Sequence, residues 1–91
     1  MKPGSVLEIY VAPGCLASET ACSLADTVRA LGQPGLEVRL VDLGEPGAVR
    51  PPAVFAVPTY LLDGRVISLG NPDAAWLLAL VGAAPTAGGA A

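Results

Sequence analysis

The chain contains no histidine. That removes the side chain most often used as a general base near neutral pH, and with it the commonest metal ligand. Cysteine is nearly as scarce, with only Cys15 and Cys22. Two thiols do not make a disulfide framework, and without histidine they cannot close a four-ligand zinc site within one chain. No resident metal or cofactor is therefore expected. Charged residues make up 14% of the sequence, and the basic ones, Lys2, Arg29, Arg39, Arg50 and Arg65, are scattered along a chain of net charge -3. A nucleic-acid footprint needs clustered positive charge, so no nucleic-acid partner is expected. Long apolar runs are missing as well. The most apolar helical stretch, Ala74 to Val81, falls far short of the roughly 20 residues that span a bilayer, so no membrane partner is expected. The opening Met1-Lys2-Pro3-Gly4 carries no secretory pattern and passes straight into strand-like sequence, which sets the expectation of a reducing, cytoplasmic setting.

What is present points to a packed core. Apolar residues make up 53% of the 91 residues, which argues against global disorder and for one domain. That domain is expected over residues 1–82. The stretch AAPTAGGAA over 83–91 has nothing large to bury and reads as a tail.

The local patterns order the elements. Val6, Leu7, Ile9, Tyr10 and Val11 form a nearly continuous run of strand formers, the pattern of a strand buried on both faces. Pro13-Gly14 interrupts it. From Ala17 to Leu31 the residues Ala21, Leu24, Ala25, Val28 and Leu31 recur at helical spacing, with Gly32 and Pro34-Gly35 as the stop. Leu36, Val38 and Leu40 then alternate with Glu37, Arg39 and Val41, a half-buried strand that closes a βαβ unit with parallel strands. Gly44 to Ala53 holds too much proline and glycine for a full helix and is expected to be a loop or a single turn. Val57 to Leu69 reads as a hairpin turning at Asp63-Gly64. Asn71 is expected to cap a last helix, with Pro72 in its first turn, Trp76, Leu77, Leu80 and Val81 facing inward, and Gly82 ending it. The fold class is α/β, in the order β-α-β-(loop)-β-β-α.

That order, with Tyr10-Val11-Ala12-Pro13-Gly14-Cys15 after the first strand and Phe55-Ala56-Val57-Pro58-Thr59-Tyr60 before the hairpin, resembles the thioredoxin and glutaredoxin superfamily over roughly residues 5–82. The segment from Leu61 to Gly70 looks like small bacterial thioredoxin-like proteins. The resemblance implies a thioredoxin-like fold with a four-stranded mixed sheet and a cis bond at Pro58. It implies Cys15 as the nucleophile, with Val57, Pro58 and Thr59 positioning the substrate. Its implied partners are protein thiols or disulfides, or a low-molecular-weight thiol. Two departures stand out. Cys15-Leu16-Ala17-Ser18 puts Ser18 where disulfide-active members carry a second cysteine, a Cys-x-x-Ser form. Gly14 stands where many thioredoxins have tryptophan. These departures, with the proline-rich loop, motivate the alternative of a thioredoxin-fold interaction or regulatory module without catalysis.

Read from the residues alone, Cys15 lies at a helix start, where free backbone N–H groups and the positive end of the dipole favour a thiolate. Glu19 opposes this, so the lowering of its pKa should be modest. Cys22 is either a resolving thiol or a small buried apolar residue, the commoner case. Two registers are compatible with the sequence. If the helix begins at or just after Cys15, seven residues of helix separate the sulfurs by about 10 Å along the axis, beyond the roughly 7 Å Cα limit of a disulfide. If Ser18 is the cap and Glu19 the first helical residue, Cys15 lies in a loop that can fold back towards Cys22. An external thiol is the other means of resolving a mixed disulfide. Ser18 itself reads as a cap or a solvated hydroxyl, and without a paired base it is a poor nucleophile. Trp76 reads as a core or rim anchor, and Arg50-Pro51-Pro52 as either a partner contact or a rigid loop, the commoner case.

Overall fold

Strand β1 (Ser5–Val11) carries apolar side chains on both faces and lies inside the sheet, between β2 (Leu36–Asp42) and β3 (Thr59–Leu62). A fourth strand, β4 (Arg65–Leu69), flanks β3, giving the order β2-β1-β3-β4. The two helices are α1 (Leu16–Leu31) and α2 (Ala74–Ala83). The computed structural model describes residues 4–83. The tail expected over 83–91 thus loses Ala83 to α2, and its remainder lies outside the described residues.

The sheet is mixed. β1 and β2 run parallel, with Ser5 opposite Leu36 and Val11 opposite Asp42. β3 runs antiparallel to β1, with Leu7 opposite Leu62 and Tyr10 opposite Thr59. β3 and β4 form the hairpin, with a register shift between Tyr60 and Leu61. Asp63 and Gly64 both have positive φ, 51° and 83°, as a tight hairpin turn requires. Asp63 also ties the turn to β1, accepting the Val6 N–H on Oδ1 and donating its own N–H to the Val6 carbonyl, both at 2.9 Å. No helix among the described residues is long and apolar enough to cross a membrane.

Both helices pack on one face. Leu7, Ile9 and Val11 of β1 and Tyr60 of β3 meet Ala21, Ala25 and Val28 of α1 and Leu77 and Val81 of α2 in a single buried cluster. On the opposite face Tyr10 and Leu61 are covered by Val54, from the irregular segment between β2 and β3. That segment is a series of turns rather than a helix, in keeping with its proline content. The Gly32 N–H donates to the Arg29 carbonyl while Gly32 adopts a left-handed conformation, so α1 ends where the sequence signals its stop.

The last helix differs from expectation in three ways. Its cap is Asp73, whose Oδ2 accepts the Trp76 N–H at 3.1 Å, and not Asn71. Pro72 therefore precedes the cap. Trp76 is 46% exposed, while Leu77 and Val81 are buried. At about 100° per residue, Trp76 points well away from the Leu77–Val81 stripe. Gly82 does not end α2, which continues to Ala83. A Cβ at Gly82 would stand 3.4 Å from Leu31 Cδ2, so this glycine faces α1. Leu31 in turn is 44% exposed rather than fully in the core.

Gly44 is needed for close approach. A Cβ there would lie 2.6 Å from both Cγ and Cδ of Pro13, a rigid ring in the β1–α1 loop. Gly44→Ala is expected to cost about 1–3 kcal/mol, the usual range for overpacking. Urea unfolding should show it as a lower midpoint at unchanged slope.

Candidate functional site

The turn after β1 delivers Cys15. Gly14 has φ 76°, a left-handed conformation that glycine adopts without strain. Cys15 follows with φ -108° and ψ 121°, extended rather than helical, as the N-cap of α1. Its carbonyl accepts the Glu19 N–H at 3.1 Å, the first helical bond. Of the two registers open to the sequence, the helix adopts the one that starts just after Cys15. Cys22 therefore lies about 10 Å further along the helix axis, beyond disulfide reach. Both cysteines are free and partly exposed.

Ser18 is neither a cap nor a solvated hydroxyl. Its side chain is buried, at 3% exposure, and its Oγ accepts the Ala12 N–H at 3.1 Å. That bond pins the end of β1 to the first turn of α1. Because Oγ is used as an acceptor, the hydroxyl proton is free to point at Cys15. The Cys15 side chain makes no cap hydrogen bond. The donors around it nonetheless hold its pKa below the ordinary thiol value. The Ser18 backbone N–H contributes most and the Ser18 hydroxyl next, with the Ala17 N–H adding to them. Partial burial and the Glu19 carboxylate oppose this. The favourable groups are those an N-cap faces, the N–H groups two and three residues into the helix.

Val57, Pro58 and Thr59 lie at the same end of the sheet. The β1–β3 register ends on the Tyr10–Thr59 pair, so Pro58, the residue before Thr59, lies at the end where β1 leads into the Cys15 turn. The Val57–Pro58 bond is cis, as the resemblance implies. The Pro58 carbonyl accepts the Gly70 N–H at 2.7 Å. Thr59 is fully buried and its hydroxyl donates to the Ala56 carbonyl, so its side chain shapes the turn from within. Leu16 and Phe55, close in sequence to Cys15 and Pro58 respectively, are 80% and 69% exposed.

Sequence reasoning missed a second layer. Tyr60, wholly buried, donates its hydroxyl to Asn71 Oδ1 at 2.7 Å. Asn71 Nδ2 donates to the Ala17 carbonyl at 2.8 Å. Asn71 thus bridges β3 and the first turn of α1 from the loop before α2. An Asn-Pro-Asp run before an apolar stretch reads locally as a helix start, and no local signal separates a cap from a bridge. Burial, and then the nearby Cys22 sulfur, push the Tyr60 hydroxyl up to about 12, so it stays protonated and donates. Among the described residues no three or more histidine, cysteine, aspartate or glutamate side chains converge in a way that could hold a metal ion. A scan against protein-family models finds no matching family, and a search of the curated proteins finds no matching relative.

Proposed function

We propose that this chain is a thioredoxin-like domain that exchanges disulfides through Cys15. The observation that carries the reading is the setting of the sulfur: partly exposed, at the N-cap of α1, with its thiolate favoured by the Ser18 N–H and hydroxyl. The thiolate is the reactive form of cysteine. Val57 and Pro58 at the same end of the sheet support the reading, as do exposed Leu16 and Phe55, which offer apolar contact to a protein or peptide substrate.

The chemistry needs no group beyond the thiols. The Cys15 thiolate attacks one sulfur of a substrate disulfide. A bond forms to Cys15 as the substrate bond breaks, and the departing sulfur leaves as a thiolate that takes a proton from water. An external thiolate then attacks the sulfur bound to Cys15 and carries it away as a new disulfide, returning Cys15 to its starting state. The net change is the exchange of one disulfide partner. Resolution falls to an external thiol because the continuous helix keeps Cys22 out of reach.

The test is the pH dependence of Cys15 alkylation, together with exchange assays on a glutathione mixed disulfide and on insulin. The expected result is a thiol midpoint below the free value of about 8.5 and a mixed disulfide trapped on Cys15. A midpoint at or above that value, with no exchange in either assay, would falsify the reading and leave the interaction module in its place.

A further inference from the structure

We propose that Asn71 is the positioning residue for the Cys15 sulfur, acting through the peptide group that joins Ala17 to Ser18. The inference deepens the thiol reading above and rests on it for its functional meaning. The geometry is a chain of hydrogen bonds. Tyr60 on β3 donates to Asn71 Oδ1 at 2.7 Å, and Asn71 Nδ2 donates to the Ala17 carbonyl at 2.8 Å. That carbonyl and the Ser18 N–H are the two ends of one planar peptide group. The Ser18 N–H is the donor three residues into the helix, the one an N-cap side chain faces. Fixing the carbonyl end of a rigid plane fixes the direction of the N–H at its other end.

Each link also strengthens the next. A hydrogen bond accepted by a carbonyl polarises its amide and makes the N–H a better donor. The Tyr60 hydroxyl polarises the Asn71 amide in this way, and the Asn71 amide polarises the Ala17–Ser18 peptide. The orientation of Asn71 is unambiguous, since the Ala17 carbonyl can only accept and the amide NH2 must face it. Tyr60 is anchored by complete burial, so the chain starts from the rigid core. The neighbouring Gly70 N–H to Pro58 carbonyl bond, at 2.7 Å, holds the same loop against the strand that carries Pro58. Glu19 opposes the Cys15 thiolate through its charge, and Asn71 carries none. The effect of Asn71 is therefore not a charge effect.

The experiment follows Cys15 alkylation against pH in the full chain and in Asn71→Ala. Cleavage after Glu19 puts Cys15 and Cys22 on separate peptides for mass analysis. The expected result is an upward midpoint shift of about half a unit, seen as about a threefold slower reaction on the acid side with an unchanged limiting rate at high pH. A residue that served stability alone would lower the melting temperature and leave the midpoint of the folded protein in place. That outcome overturns the proposal. Tyr60→Phe keeps the ring in the core and removes only the first donor, so it tests the same chain if Asn71→Ala does not fold. A shift in the same direction supports the assignment, and an unmoved midpoint overturns it. The difference between variant and parent decides the role of Asn71. The parent's absolute midpoint, with the exchange assays, separately decides the thiol reading.

Discussion

Cys15→Ser is expected to abolish mixed-disulfide formation and at the same time to raise the melting temperature at mildly acid pH. The loss is complete because the helix leaves no second thiol within reach of the site. The gain follows from the cap. In the parent, the Cys15 side chain makes no cap hydrogen bond, whereas serine is among the strongest N-cap residues. The rise should be a few degrees, the size of one good cap in a domain of this length.

The advantage of serine should depend on pH. The fold lowers the Cys15 pKa, so between the folded value and the unfolded value of about 8.5 the folded chain binds fewer protons than the unfolded one. The thiolate's contribution to stability is therefore fully present above the unfolded value and is lost as the pH falls through the folded value. Serine has no such dependence. Its lead over the parent is largest below that window and shrinks across it, because the thiolate becomes a capping anion in its own right. Melting curves of both proteins across this range would show the trend. A difference that stayed constant with pH would mean that the thiolate gains nothing from the helix start.

Tyr60→Ala is expected to bring the domain close to unfolding. Tyr60 is the largest fully buried side chain and belongs to the cluster that joins the sheet to both helices. Truncating a buried aromatic costs about 3–5 kcal/mol, against a total stability of about 5–15 kcal/mol for ordinary domains. The hydroxyl adds to this, because its removal takes from Asn71 Oδ1 the Tyr60 donor. Tyr60→Phe isolates that part and should cost about 1–2 kcal/mol. Urea unfolding of the two variants separates ring from hydroxyl. Equal losses in both would mean that the ring contributes little and that the core is held elsewhere.

Much of the fold was legible because its elements carry strong local signals. α1 has a polar side, with Glu19, Ser23 and Asp26 opposite Ala21, Ala25 and Val28, so the buried face could be read from spacing. Its end was legible from Gly32, and the hairpin from Asp63-Gly64. α2 offered no such contrast. The run AAWLLALVGA is apolar at nearly every position, and a helix without a polar side does not reveal which way it faces. Nothing in the run therefore distinguishes Trp76, which is half exposed, from Leu77 and Val81, which are buried. The position of Cys15 after the first strand was legible too, but the sequence left open whether the helix began beside it or at Ser18. The Glu19 N–H donating to the Cys15 carbonyl decides that question, and Ser18, already inside the helix, gives its Oγ to the Ala12 N–H across the turn.

Local patterns in the chain are enough for the α/β class, the order of the elements, the parallel β1–β2 pair and the place of Cys15 just after the first strand. These rest on periodicity, turn residues and caps, all of which act over a few neighbouring residues. Long-range packing is what makes Ser18 a buried clamp, makes Asp73 rather than Asn71 the cap of α2, and lets Asn71 join Tyr60 to the Ala17 carbonyl. Asn71 and Ala17 are 54 residues apart in the chain. The partners of a polar side chain over such a separation are set by how strands and helices stack, and no local pattern encodes that.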